Sequence, residues 1–286
     1  TATRAEYGLM RQLLFALQND AEIELSLLVT GTHLSPSFGM TINEIRDDGV
    51  DIKEELKILS EKNGRVDVSK TFSNTIDEFS LHFRENNYDF VLIDGDRYEI
   101  FAVAITAVMA QIPVVHCGGG ATTEGAYDEY WRHAITKISS IHFPTMEKYR
   151  QRIIQMGEDP SRVFVVGSMG LENIRKMTFS SIQIIEEKIG MKLDKPFALV
   201  TFHPVTLENH TAESQIKELM EACIEVDNMK FIFTKANADD DGDVINKVID
   251  TYVRKYSDKM VCVASLGSQL YLSAMSYCSF LMGNSS

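Results

Sequence analysis

The sequence alternates short apolar runs with longer amphipathic segments along its whole length, and this pattern constrains the fold more than any other feature. Short runs rich in β-branched residues are typical of parallel strands buried on both faces, and the longer segments have the spacing of helices that cover them. The runs predict strands at residues 23–29, 90–93, 114–115, 141–143, 163–166, 197–201, 230–234, 260–263 and 280–282. The longer segments predict helices at residues 6–19, 69–87, 97–110, 146–156, 215–227 and 243–256. This order predicts an α/β fold with parallel sheets.

The alternation pauses near residues 167–177 and restarts after Pro196, which predicts a domain junction there. We therefore expect two Rossmann-like domains, residues 1–170 and 171–286, that face a central cleft at the carboxyl ends of their strands. Thr1 resembles the turn after a strand, and Ser286 follows a strand and its turn. From this we expect an opening strand and a C-terminal segment outside the printed sequence.

Composition limits the class of partner. The 286 residues include 41 acidic and 28 basic side chains, a net charge of −13, whereas nucleic acids and anionic membranes need a basic face. No apolar run approaches the ~18 residues that span a bilayer, and no signal-peptide pattern is found. The four cysteines lack CxxC spacing, which indicates reduced thiols. We expect a cytoplasmic protein that binds neither nucleic acid nor membrane.

Two polar groups follow predicted strand ends in the first half. Residues 1–6 carry Arg4 at the start of a helix, where a guanidinium and backbone N–H groups can bind a diphosphate. An ordinary turn with a surface arginine explains the same residues equally well. Asp96 follows Gly95 directly after an apolar run, so its carboxylate can bind a sugar or transfer a proton. It can equally cap the next helix.

The longest polar stretch is residues 116–137. Its three consecutive glycines at 118–120 can let the backbone approach a ligand closely. Carboxylates that include Glu124 and Asp128 follow, and they can also be a solvated helix start that the macrodipole favours. Their position between the glycines and His133 favours a functional role. No pair of His or Cys residues recurs at zinc spacing, so we expect no metal.

Further polar groups follow predicted strands in the second half: His203, Asn237, and Ser285 with Ser286 on a glycine turn. A lone histidine is more often structural. His203, however, is followed by Pro and Thr, and the chain has a second segment suited to phosphate binding. These features favour a binding role for His203. The serine pair resembles a phosphate cradle. Residues 237–242 imitate the start of a calcium loop, but Val248 stands where the bidentate Glu is needed, so calcium binding is not expected.

In this order, the polar stretches resemble the hydrolysing UDP-N-acetylglucosamine 2-epimerases of sialic acid biosynthesis. The resemblance covers nearly the whole chain, and the ordered set is highly specific although each motif alone is weak. The motifs are residues 3–8 (TRAEYG), 30–35 (TGTHLS), 95–97 (GDR), 123–129 (TEGAYDE), 132–137 (RHAITK), 202–206 (FHPVT) and 283–286 (GNSS).

The resemblance implies a glycosyltransferase-B-like fold without metal or cofactor, and a homodimer or homotetramer. The implied reaction converts UDP-N-acetylglucosamine and water to N-acetylmannosamine and UDP, through a glycal, with inversion at C2. The implied catalytic residues are Asp96, Glu124, Asp128 and His203. The implied residues that bind substrate or UDP are Arg4, Asn237, Leu266, Gly267, Ser285 and Ser286.

Three positions depart from the pattern that the family commonly shows. Ala2 stands in place of a Gly, Gly118 in place of a His or Glu, and Ala121 in place of an acidic residue. Two alternatives therefore stay open beside a glycosyltransferase of similar fold. One is a hydrolysing 2-epimerase of a UDP-2,4-diacetamido-trideoxy sugar, although the sequence of the motif at residues 123–129 favours the N-acetylglucosamine branch. The other is a catalytically impaired protein that binds nucleotide sugars.

Overall fold

A computed structural model describes residues 1–62, 65–204, 211–236 and 242–284. The chain divides into two compact units, Thr1–Arg175 and Lys176–Ser286. The helices are α1 Arg4–Gln18, α2 Ile42–Asp47, α3 Val68–Glu85, α4 Tyr98–Met109, α5 Asp128–Ile138, α6 Glu147–Gln155, α7 Met169–Lys176, α8 Ile182–Ile189, α9 Ala212–Glu225, α10 Gly242–Lys255 and α11 Gly267–Tyr277. The strands are β1 Leu27–Thr30, β2 Ile52–Leu56, β3 Glu61–Lys62, β4 Arg65–Val66, β5 Val91–Asp94, β6 Val114–Cys117, β7 Ile141–Phe143, β8 Phe197–Thr201, β9 Lys230–Thr234, β10 Met260–Val263 and β11 Phe280–Gly283.

The first unit holds two parallel sheets, β1–β2 and β5–β6–β7, and the short antiparallel pair β3–β4. All four residues of the central strand β6 are buried, as expected for a parallel strand covered on both faces. Phe79 and Phe83 of α3 pack into one core cluster with Ile93 of β5. Asp94 pairs with Cys117, so β5 and β6 end side by side and the loops after them start together.

The second unit holds one parallel sheet in the order β10–β9–β8–β11. Helices α9 and α10 cover it with Ile216, Met220 and Ile249, which share a buried cluster with Phe231 and Phe233 of β9. The chain proceeds from β8 to β10 in one direction and then returns to place β11 on the other side of β8. At such a reversal the loops leave in opposite directions, and open α/β sheets bind ligands at the carboxyl ends there.

The parallel sheets and covering helices confirm the predicted α/β fold class. One strand prediction was wrong: residues 163–166 form no strand, although Val163 makes an isolated bridge with His142 and Phe164 N donates to His142 O at 2.9 Å. Strand β1 begins at Leu27, four residues after the predicted start at 23. Among the described residues, no helix is long and apolar enough to cross a membrane.

Helix α1 offers a direct test of the core of the first unit. Tyr7, Met10 and Leu14 recur at helical spacing on its buried face. Leu14 is 2% exposed, whereas Leu81 on α3 is 51% exposed. We expect Leu14→Ala to lower the free energy of unfolding by about 2–5 kcal/mol, because the truncation leaves a cavity. Leu81→Ala is the matched control in another helix, and chemical denaturation measures both; equal losses would contradict this packing.

Candidate active site

The candidate site of the first unit lies where β5 and β6 end. The loop after β5 carries Asp96, the loop after β6 carries the three glycines, and α5 follows that second loop. Arg132 of α5 is 5% exposed and connects these segments. Its Nε donates to Asp96 Oδ2 at 2.8 Å, and its Nη2 donates to the same carboxylate oxygen. Asp96 therefore fixes the turn after β5 onto α5.

Arg132 also holds the loop that precedes its own helix. Its Nη2 donates to Thr123 Oγ1 at 2.9 Å, and its Nη1 donates to Ala121 O at 3.2 Å and to Glu129 Oε2 at 3.0 Å. A buried guanidinium with several aligned acceptors is a stiff anchor, since charge-assisted hydrogen bonds are stronger than neutral ones. The loop from Ala121 to Glu129 is thereby bound to the same side chain as Asp96.

Glu129 is the second carboxylate of this network. Its Oε2 accepts from Thr123 N at 2.6 Å, and its Oε1 lies 2.9 Å from His133 Nε2. Burial raises the pKa of Glu129, but the hydrogen bonds from Thr123 and His133 and the charge of Arg132 outweigh it and lower the pKa overall. Glu129 is therefore an anchor of the loop in its ionised form. His133 Nδ1 is buried without a hydrogen-bond partner among the described residues.

Internal packing requires glycine at two of the three positions 118–120, and the approach of the loop to a ligand stays a prediction. A Cβ on Gly119 would lie 2.9 Å from Thr136 Oγ1 and 3.0 Å from His116 Nδ1. A Cβ on Gly120, whose φ is +82°, would lie 2.6 Å from the backbone oxygen of Tyr149. For Gly118, at φ +78°, the nearest atom to such a Cβ is Asp94 Oδ1 at 3.5 Å. Of the three, Gly118 is the one at which an added Cβ would make only an ordinary contact, and its positive φ still favours glycine.

Buried carboxyl groups lie behind the turn after β5. Glu6 is 5% exposed and lies against Gly95, and its Oε2 accepts from Ala2 N at 2.7 Å. Burial raises the pKa of Glu6 to about 7. Burial, followed by the charge of Glu6, raises the pKa of Asp94 to about 7. Glu6 Oε1 and Asp94 Oδ2 are buried without a hydrogen-bond partner in the described structure. Both groups are therefore partly protonated near neutral pH.

In the second unit, the ends of β8 and β11 are joined by Asn284. Its Oδ1 accepts from His203 N at 2.9 Å, and its Nδ2 donates to His203 O at 2.7 Å. A Cβ on Gly283 would lie 2.6 Å from Thr201 O, so only glycine fits where the two strand ends approach. His203 thus lies at the point where the strand order reverses.

The remaining predicted residues take the following places. Arg4 is the first residue of α1 and Asp128 the first of α5, and both are half-buried. Glu124 is exposed in the loop before α5. Leu266 is buried at the start of α11, where Gly267 has a φ of +69° and donates from its backbone to Ser265 Oγ at 3.0 Å. Asn237, Ser285 and Ser286 lie outside the described residues.

The alternative interpretation of Asp96 as a helix cap was wrong. Helix α4 begins after Arg97, whose side chain makes no capping hydrogen bond, and the carboxylate of Asp96 binds Arg132 instead. The functional roles of the predicted site residues stay predictions. In the part of the chain that the structure describes, no group of three or more His, Cys, Asp or Glu side chains could hold a metal ion.

Sequence reasoning placed Arg132 in the motif of residues 132–137 and Asp94 in the polar group after an apolar run, but it assigned neither a specific role. Arg132 stands three residues after Glu129 and one turn before Thr136, a spacing that places it on one helical face with both. Its contact with Asp96 spans 36 residues, so no local pattern could reveal it. Asp94 ends an apolar strand, and a carboxylate there is a detectable signal of burial in hindsight.

We expect Asp94→Asn to change how stability depends on pH. Because the pKa of Asp94 is raised in the folded protein, folding favours its protonated form, and the contribution of Asp94 to stability falls as pH rises from about 4 to about 7. Asn is neutral, so the free energy of unfolding of the variant should exceed that of wild type by a margin that widens across this range. Chemical denaturation at several pH values measures it, with exposed Asp51→Asn as control. A margin that stays constant would contradict a buried carboxyl group.

Comparison with known proteins identifies the family. A family model described as UDP-N-acetylglucosamine 2-epimerase matches residues 15–286. A GDP/UDP-N,N'-diacetylbacillosamine 2-epimerase (hydrolyzing) of Campylobacter jejuni is 40% identical over 286 residues, 100% of this chain and 74% of that protein. A polysialic acid biosynthesis protein of Escherichia coli is 39% identical over 287 residues, 100% of this chain and 73% of that protein.

The fold agrees with solved structures. The crystal structure of UDP-GlcNAc 2-epimerase from Neisseria meningitidis bound to UDP-GlcNAc has a TM-score of 0.82 and 17% identity, and the match covers 100% of this chain and 76% of that one. At this identity the likeness shows the fold alone, which is glycosyltransferase-B-like, as predicted. The chain therefore belongs to the UDP-N-acetylglucosamine 2-epimerase family.

Proposed function

We propose that this protein is a hydrolysing 2-epimerase of a UDP-linked 2-acetamido sugar. The observation that carries the proposal is its 40% identity, over the whole chain, with a relative named as hydrolyzing. The buried Arg132 that binds Asp96 supports it, because a carboxylate fixed at the carboxyl end of a strand can serve as an acid or base.

In the proposed reaction, the C1–O bond to UDP breaks as a base removes the C2 proton, which leaves UDP and a glycal. The C2 hydrogen is not acidic until the C1–O bond loosens, so stabilisation of the leaving group and removal of the proton act together. Water then adds across the double bond, with its hydroxyl on C1 and a proton on C2 from the opposite face. We assign the proton transfers to Asp96, Glu124 and Asp128, and each well-placed acid or base contributes ~10²–10⁴-fold.

The residues proposed to bind UDP are those that the family resemblance implies. His203 and Arg4 are assigned to the diphosphate together with Ser285 and Ser286, since cations and hydroxyl donors stabilise the charge that develops on the leaving group. Asn237 is assigned to the uridine, with backbone groups of Leu266 and Gly267. Support for the role of His203 comes from its position beside Asn284, where the strand order of its sheet reverses.

We propose UDP-N,N'-diacetylbacillosamine as the first candidate substrate. The Campylobacter jejuni relative is named for this 2,4-diacetamido sugar and matches the whole chain at 40% identity. UDP-N-acetylglucosamine is the second candidate, because the Escherichia coli relative at 39% identity is named for polysialic acid biosynthesis, which agrees with the expected product N-acetylmannosamine.

Incubation in deuterated water tests the proposal with both UDP sugars. We expect release of UDP together with a free sugar that carries deuterium at C2, as detected by NMR and mass spectrometry, with a higher kcat/KM for the diacetamido substrate. Protium at C2 would contradict elimination, and an epimerised UDP sugar without free UDP would contradict hydrolysis. Asp96→Asn should lower kcat, whereas the exposed Asp51→Asn should leave it unchanged.

A second prediction concerns Arg132. We expect Arg132→Lys to lower kcat on the order of 10²-fold, because an ammonium group cannot bind Asp96, Thr123 and Glu129 at once and the carboxylate shifts from its position. Steady-state kinetics measures the loss. Arg46→Lys is the matched control, since Arg46 also binds a carboxylate, that of Glu55, but lies on α2 at the surface. A wild-type kcat in Arg132→Lys would contradict the proposed role of the guanidinium group in positioning Asp96.

A catalytically impaired binding protein is the other candidate, and one observation favours it. At position 121 the loop after β6 offers Arg132 a backbone carbonyl, and the methyl side chain of Ala121 stands where the family resemblance implies an acidic side chain. If calorimetry shows that UDP binds while neither sugar is turned over, and Ala121→Glu restores turnover, the protein is a binder. Turnover by the wild-type protein excludes this candidate.

A further inference from the structure

The imidazole of His116 is the point where three segments of the candidate site meet. His116 is fully buried at the third position of β6. Its Nε2 lies 3.1 Å from Gly95 O, in the turn that carries Asp96. Its Nδ1 lies 3.2 Å from Thr136 Oγ1 on α5. The ring therefore joins the turn after β5 to α5 through the strand between them.

The partners of the ring define its state. A carbonyl oxygen only accepts hydrogen bonds, so Nε2 carries the proton that it donates to Gly95 O. Nδ1 is then an acceptor, and the single hydrogen of the Thr136 hydroxyl is shared between Nδ1 at 3.2 Å and Arg132 O at 3.0 Å. Burial lowers the pKa of His116 to about 4, so the imidazole is neutral at pH 7. A neutral donor and acceptor of this kind is suited to hold a backbone group in place.

The glycine loop packs against one edge of the ring. Because a Cβ on Gly119 would lie 3.0 Å from Nδ1 and 3.2 Å from Cε1 of His116, the glycine backbone covers that edge of the ring. The same Cβ would lie 2.9 Å from Thr136 Oγ1. The loop after β6 thus packs on the hydrogen bond between His116 and Thr136 itself.

We propose that His116 is a positioning residue that sets the place of Asp96 by holding the backbone of Gly95 against α5. This inference rests on the proposed function of Asp96. The Asp96 carboxylate is held by Arg132, and the carbonyl of its preceding peptide is held by His116. Both anchors lead to α5, because Thr136 lies one turn after Arg132. Loss of either contact should move the carboxylate, and a displacement of about 1 Å can lower turnover on the order of 10²-fold.

Two amide substitutions separate the contacts of the ring. In His116→Gln the amide nitrogen can reach the place of Nε2 and donate to Gly95 O, whereas in His116→Asn it reaches only the place of Nδ1. We expect His116→Asn to lower kcat on the order of 10²-fold with little change in KM. The kcat of His116→Gln should be at least about tenfold higher than that of His116→Asn. Gly119→Ala should act in the same direction as His116→Asn, because its Cβ displaces the ring.

His82→Gln is the matched control. His82 is 4% exposed on α3, and its two ring nitrogens contact Glu54 Oε2 at 2.6 Å and Tyr88 Oη at 2.7 Å. This variant should lose stability without loss of kcat, whereas a purely structural role of His116 would make its variants behave like the control. An unchanged kcat in His116→Asn, or equal kcat in the Asn and Gln variants, would overturn the proposal.

Hydrogen–deuterium exchange gives a readout that does not depend on turnover. We expect backbone amides of residues 94–97 and 118–123 to exchange faster in His116→Asn than in wild type, and to keep wild-type exchange in His116→Gln and His82→Gln. If wild type turns over neither UDP sugar but this pattern is found, the proposed reaction fails and the positioning contact stands. If wild type is active and His116→Asn exchanges like wild type, the positioning contact fails alone.

Discussion

The arrangement of the candidate site depends on one buried cation. A guanidinium removed from water carries a large desolvation cost, which only aligned acceptors offset. Arg132 meets this requirement with the carboxylates of Asp96 and Glu129, the hydroxyl of Thr123 and the carbonyl of Ala121. These partners come from the loop after β5, the loop after β6 and α5 itself. Burial of the arginine therefore forces the loops of two neighbouring strands to converge.

The same low-dielectric surroundings decide which other groups carry charge. Glu6 and Asp94 each have a buried oxygen without a partner in the described structure, and their pKa values rise to about 7. His116 is buried and its pKa falls to about 4. Glu129 is the exception among these groups, since Arg132, His133 and Thr123 N stabilise its ionised form. Burial thus favours the neutral forms of Glu6, Asp94 and His116, whereas hydrogen bonds compensate for the burial of charge at Arg132 and Glu129.

The sequence predicts this fold well wherever burial and periodicity coincide, as in β6, β8 and β9. Prediction from the sequence fails where burial and periodicity do not coincide. Residues 163–166 are apolar, but Phe164 and Val166 are exposed, and Val163 makes only an isolated bridge with β7. Strand β2 escapes prediction because three of its five residues are exposed, so its sequence lacks the signature of a buried strand.

For the site, the motifs locate the loops but not the contacts within them. Asp96 was identified from its place after a strand, yet its partner lies 36 residues away on a helix. The sequence also does not show that His116, Thr136 and Tyr149 occupy the space beside Gly119 and Gly120. Contacts of this kind depend on tertiary neighbours, which local patterns do not encode.

The side chain of Asn284 has a consequence for how the second sheet ends. Its carboxamide has an oxygen that accepts and an NH2 group that donates, and the backbone of His203 uses the oxygen and one N–H as it could use those of peptide groups. The hydrogen bonding between β8 and β11 therefore extends one step beyond their paired main-chain residues. A carboxylate at this position would accept from His203 N but would face the carbonyl of His203 with a second negative oxygen. Only an amide can replace the main-chain hydrogen bonds at this position, so the side chain of residue 284 acts as a backbone peptide would.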